Sequence, residues 1–170
     1  MRGRTRGALI AVGLVAGLLL VARIVAGLLF DGYDVVLESM APTLEPGERV
    51  AVRDADVDDV APGDVIVFDT PVAGEDFKII HRVVAVGGQQ VEARDGSVLV
   101  DGEPVEEGYL PESTTTADFE PVTVPDGQVF VLGDNRGDAR DSRFFGPVDG
   151  DLIVGRVVFR YWPLSDLGGI

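Results

Sequence analysis

VEARDGSVLVDGEP, residues 91–104, carries Asp-Gly twice, with the four residues Ser97–Val100 between the pairs. Asp and Gly both tolerate positive φ, which two-residue hairpin turns demand because only those turns match the twist of paired strands. Two hairpins in succession are therefore predicted, and with them a β domain. Working outward, RVAVR (49–53), DVIVF (64–68), KIIHRVVAV (78–86), QVFVL (128–132) and LIVGRVVFRYW (152–162) are short runs rich in Val, Ile and Phe. Pro62-Gly63, Pro125-Asp126-Gly127 and Pro147 punctuate them, so each reads as a strand bounded by turns. No helical periodicity and no internal repeat follow residue 30, and the expected fold class is mostly β. Residues 107–123, EGYLPESTTTADFEPVT, lack apolar alternation and are expected to form an exposed loop within an extension near 88–125.

The charge is divided unevenly along the chain. Residues 1–30 hold four arginines and no acid, so the rest carries all 29 acidic residues against ten basic ones. A field that negative repels nucleic acid and argues against a DNA- or RNA-binding role. Lys78 is the only lysine, a bias that fits either a high-salt setting or a GC-rich genome. The absence of cysteine excludes disulfides, thiolate nucleophiles and Cys-ligated zinc.

Residues 8–30, ALIAVGLVAGLLLVARIVAGLLF, are apolar except for Arg23 and long enough to cross a hydrocarbon layer of about 30 Å as a helix. Arg23 lies near enough to the outer end for its side chain to reach the headgroups. Arg2, Arg4 and Arg6 precede the run and Asp31 and Asp34 follow it. The positive-inside rule then predicts a single-pass plasma-membrane anchor over residues 1–30, with a cytoplasmic N-terminus and an extracytoplasmic domain over 31–170. A cleaved signal peptide is the alternative, but it would need a shorter apolar core and a small-x-small site, and Ala26–Val36 offers none.

Three polar groups stand out in the outer domain. In ESMAPTLEPGERV, Ser39 precedes a Pro turn that can leave both its hydroxyl and its backbone N–H accessible. His81, the only histidine, lies within the strand KIIHRVVAV. GDNRGDARDSR, residues 133–143, follows a strand and places Asp134, Asp138 and Asp141 among Arg136, Arg140 and Arg143. Taken singly, each has an ordinary structural explanation: a turn serine, a core histidine, a solvated ion-pair loop. Jointly they contain a hydroxyl nucleophile, a base matched to neutral pH, and carboxylates able to orient it. An imidazole with its ordinary pKa would lose that role as pH falls through about 6.5.

The order of SMAPTL, PGDVIVF, HRVVAVGG, VEARDGSVLVDGEPVEEGYLPE, GDNRGDARDSRFFGPV and GRVVFRYWPLS resembles the type I signal peptidases, serine peptidases of family S26. The resemblance spans nearly the full chain and implies a membrane-anchored endopeptidase that cleaves signal peptides from exported preproteins through an acyl-enzyme, with no cofactor or metal. It assigns Ser39 as nucleophile, its N–H to the oxyanion hole, His81 as base and Asp141 as the acid, with Asp134 second. Met40 and Ile80 would line shallow substrate pockets beside a peptide added as a strand. The frame is bacterial-like, yet bacterial members carry lysine where His81 stands, and archaeal and endoplasmic-reticulum members carry histidine. Lys78, three residues away on one strand, would point to the opposite face. Leu37 and Ala139 replace residues that are often hydroxylic in bacterial members, and GGQQ replaces PGD after the base strand. The alternative function is a catalytically inactive membrane-tethered β domain that binds exported chains. A self-cleaving repressor-type protease would carry a DNA-binding domain and no anchor.

Overall fold

The computed structural model describes residues 14–21, 23, 27, 29–72, 74 and 77–170. The chain divides into two compact units, residues 1–31 and 32–170. In the first unit residues 14–21 are helical and exposed. Part of the expected membrane span, including residues 8–13, lies outside the described residues. No helix among the described residues is long and apolar enough to cross a membrane.

The second unit is built on strands, as the sequence predicts. They are β1 (Asp31–Asp34), β2 (Arg49–Arg53), β3 (Val65–Asp69), β4 (Lys78–Val86), β5 (Gln90–Arg94), β6 (Ser97–Val100), β7 (Glu103–Pro104), β8 (Phe119–Thr123), β9 (Gln128–Leu132), β10 (Val148–Asp149), β11 (Ile153–Trp162) and β12 (Gly168–Gly169). An eight-stranded sheet runs β1-β2-β11-β3-β4-β9-β10, with β12 added to β11, and a four-stranded sheet runs β7-β6-β5-β8. The second sheet is inserted between β4 and β9. Asp95, Gly96, Asp101 and Gly102 all have positive φ, so both Asp-Gly pairs form the expected tight turns.

Alternation of side chains along the strands shares the core among three clusters. On β3, Val65 and Val67 pack with Met40, Leu44 and Val50, whereas Ile66 and Phe68 pack with Ile79, Val129 and Val131. On β9, Val129 and Val131 belong to that second cluster, while Phe130 and Leu132 join Val91 and Val98 of the inserted sheet. One strand thus binds the insert to the main sheet through its two faces.

Residues 107–118 form no strand and are mostly exposed, as expected, and the structure differs from the sequence reading at 119–123. Phe119–Thr123 pairs with β5 as an edge strand, Thr116 is buried, and Phe119 stacks on Phe130 with ring centroids 5.5 Å apart. An edge position accommodates Pro121, which has no N–H to offer a ladder. The extension near 88–125 is accordingly a sheet with its own buried Val91, Val98 and Val124, and the loop 107–118 joins two of its strands.

Candidate active site

Ser39 sits in a single helical turn, Glu38–Met40, between β1 and β2. Val35, Met40 and Leu44 are buried on either side of it, so the turn is fixed by the apolar residues that flank the hydroxyl. Asn135 adds a polar clamp: its backbone N–H donates to Ser39 O at 3.0 Å and its Nδ2 to Glu38 O at 3.1 Å. Ser39 itself is half-buried and open to solvent on one side.

His81 lies in β4, opposite Ile66 of β3, and is only 1% exposed. Phe68 covers it, with ring centroids 5.9 Å apart. Burial is the largest influence on the ring and pushes its pKa down to about 4; the Asp141 and then the Asp134 carboxylate pull it up, and Arg143 opposes them. The imidazole is therefore neutral at pH 7, the state in which it can accept a proton. Its Nδ1 is buried without a hydrogen-bond partner.

The two candidate acids are both buried and both engaged. Asp141 Oδ2 accepts from Gly133 N–H at 3.0 Å and from Arg143 Nη2 at 2.8 Å, while Oδ1 accepts from Arg143 Nε at 2.8 Å. It also caps the short helix Ser142–Phe145. Asp134 takes both arms of Arg82, at 2.9 and 2.7 Å. No hydrogen bond joins either carboxylate to His81; Asp141 acts on the ring by its charge, more strongly than Asp134 does.

A cavity of about 410 Å³ is lined by Ser39 and His81 together, with Leu37, Phe77, Ile79, Arg140 and Phe145 among its walls. A second, shallow pocket of about 30 Å³ lies on the other side of Ser39, against Met40, Lys78 and Ile80. The parity of β4 explains the division: Ile79 and His81 face one pocket, Lys78 and Ile80 the other. Lys78 donates to Asp69 Oδ1 at 2.7 Å on that second face. Because β9 first meets β4 at Arg82, no strand among the described residues pairs with Ile79–His81 on the side away from β3. That leaves an open edge next to the Ser39 turn.

Two site residues escape the sequence reading. Asn135 holds the nucleophile turn, and Gly133 packs where a side chain could not fit: a Cβ there would lie 2.3 Å from Ala139 Cβ, 2.6 Å from Ser39 O and 3.4 Å from His81 Cδ2. The available signal is their place in GDN directly after a strand, where a Gly marks close backbone approach. No group of three or more metal-ligating side chains occurs among the described residues.

Comparison with known proteins gives the arrangement its context. The family model described as signal peptidase, peptidase S26, matches residues 8–162. A Synechocystis protein named "Probable signal peptidase I-1" is 42% identical over 139 residues, covering 77% of this chain and 70% of the relative. Signal peptidase IB of Staphylococcus aureus is 35% identical over 162 residues, covering 84% and 83%. A crystal structure of a signal peptidase I from Enterococcus faecalis superimposes with a TM-score of 0.50 at 30% identity, covering 57% of this chain and 95% of that one. By a family match over nearly its whole length, this chain belongs to the signal peptidases of family S26.

Proposed function

We propose that this serine endopeptidase is a membrane-anchored signal peptidase I in which Ser39 is the nucleophile, His81 the general base and Asp141 the carboxylate that favours the imidazolium formed during the reaction. The observation that carries the reading is the shared cavity: a half-buried hydroxyl and a neutral imidazole open onto the same space. His81 removes the Ser39 hydroxyl proton as Oγ attacks the scissile carbonyl. The imidazolium returns that proton to the leaving amine, and the acyl-enzyme forms. Water, deprotonated by the same imidazole, then releases the acid and frees Ser39. Both carboxylates lower the cost of charging a ring that burial keeps neutral at rest.

The apolar run 8–30, with arginines before it and acids after it, supports the anchor and the outward placement of the catalytic unit. Only eight residues separate Phe30 from Ser39, a reach of roughly 30 Å when extended, so the nucleophile works close to the bilayer surface. The edge of Ile79–His81 that no strand among the described residues joins, with the two pockets beside Ser39, suits an extended peptide that presents small side chains.

The test is cleavage of a purified preprotein by the full chain in phospholipid vesicles. Two fragments are expected, the new N-terminus following a small residue. A preprotein that stays intact yet binds the chain would establish the inactive-binder reading instead.

The pH dependence follows from the buried ring. The acid limb of kcat/KM is expected near pH 4, well below the ordinary imidazole value, because only the neutral form accepts a proton. The unfolded chain protonates first as pH falls through about 6.5, so fold stability is also expected to drop between there and about 4. A rate profile recorded from about pH 3 to about pH 10 checks the first point. An acid limb at 6.5 would mean a solvated ring, and activity rising toward 10 would point to Lys78.

A further inference from the structure

The loop that presses on the site is itself held from behind by the inserted sheet. Gly133 is gripped at both peptide groups: its N–H donates to Asp141, and its carbonyl accepts from Arg136 Nε at 3.0 Å. The Arg136 side chain is almost wholly buried, and its remaining donors go to Glu107 and to Thr116 Oγ1 at 2.7 Å, both on the segment joining β7 to β8. Burial works against the Arg136 charge, and the hydrogen bonds and charge of Glu107 outweigh it. The same segment reaches the other end of the site. Tyr109, which donates to Glu107 Oε1 at 3.0 Å, lies under the guanidinium of Arg82, 3.9 Å from its ring centroid. Arg82 follows His81 in the chain and holds Asp134, the residue after Gly133.

We infer that Glu107 is a positioning residue for the hydrolysis, fixing Gly133 against Ser39 and His81 through Arg136. The inference rests on the serine-peptidase reading of those two residues. Without the Glu107 carboxylate, Arg136 would be a buried charge with only the Thr116 hydroxyl and the Gly133 carbonyl to accept its hydrogen bonds, and such a group rotates or draws in water. Either response releases the Gly133 carbonyl. Gly133 has no slack, since even a methyl group there would meet Ser39 O and the His81 ring, so the released loop moves the nucleophile turn relative to the base. Misplacement of reacting groups by about 1 Å costs on the order of 100-fold in rate.

The experiment compares Glu107→Gln and Arg136→Lys with the unaltered full chain. Gln keeps the shape of Glu107 without its charge, and Lys keeps the charge of Arg136 without the fork that spans Gly133 and Glu107. The expected result is a kcat lower by about 10- to 100-fold with KM changed less than about twofold. The chain has one histidine, so the ¹⁵N signals of a single imidazole report its surroundings directly, and both variants are expected to shift them. Arg94→Ala, which breaks the exposed pair with Glu92 on the same inserted sheet, leaves both readouts unchanged. Wild-type kcat and unmoved imidazole signals in Glu107→Gln would overturn the inference. So would a loss of rate that matches the unfolded fraction seen by circular dichroism. If the unaltered chain cleaves nothing, the peptidase reading fails on its own, and the imidazole signals still decide whether Glu107 acts on His81.

Discussion

Replacing Ser39 by alanine is expected to lower cleavage by a factor of about 10⁴ or more, and replacing His81 by leucine by a similar factor, with the double variant no worse than either. In the proposed mechanism the two groups perform one step, proton removal coupled to attack, so losing either loses the step. Leucine is chosen for a second reason. The buried Nδ1 has no partner, a situation that costs about 1–3 kcal/mol in a folded protein, and leucine fills similar space without a polar atom. The His81→Leu chain should therefore melt at or above the unaltered Tm while cleaving nothing, stability and activity moving in opposite directions. Thermal melts and preprotein cleavage on the same samples check this. A His81→Leu chain that still processes a preprotein at near the normal rate would remove the imidazole from the mechanism. One that unfolds would show that the ring contributes more to the core than to the reaction.

Gly133→Ala is expected to lower kcat by on the order of 100-fold or more, although the change adds one methyl group and alters no charge. The new carbon would sit 2.3 Å from Ala139 Cβ and 2.6 Å from Ser39 O, well inside contact distance on two sides. The carbonyl belongs to the nucleophile turn and is already bonded by Asn135 N–H, so it cannot retreat without carrying Ser39 with it. Overpacking of this kind also costs about 1–3 kcal/mol of stability. Ala139→Gly in the same chain removes the closer clash and leaves the one with Ser39 O. It should recover stability more than it recovers kcat, and full recovery of both would mean that the contact with Ser39 is unimportant.

The local features of the sequence carried through to the structure, and the long-range ones did not. Asp95-Gly96 and Asp101-Gly102 state their turns in two residues each, because positive φ is a property of those residues. Period-two patterning of KIIHRVVAV placed His81 and Lys78 on opposite faces, and the two pockets divide in the same way. By contrast, β8 is mostly exposed, contains a proline, and gains its place by pairing with β5 and stacking Phe119 on Phe130. Asn135 acts across 97 residues and Arg136 meets Glu107 across 29, and no local pattern announces either. The depressed pKa of His81 was equally hidden: an imidazole in a strand titrates near 6.5 until Phe68 and Gly133 close over it. Sequence named the proposed nucleophile and base, whereas their environment and spacing come from tertiary packing.

The stretch Ile79–His81 of β4, which no strand among the described residues joins on the side away from β3, bears on what the enzyme would accept under the proposed reading. A guest chain that docks there completes a ladder with its amides, and amides are the same whatever the side chains. Under that docking, recognition by backbone, trimmed by two size filters flanking the seryl oxygen, would make for a generalist that takes unrelated leaders, provided each arrives unfolded and slim at the scissile bond.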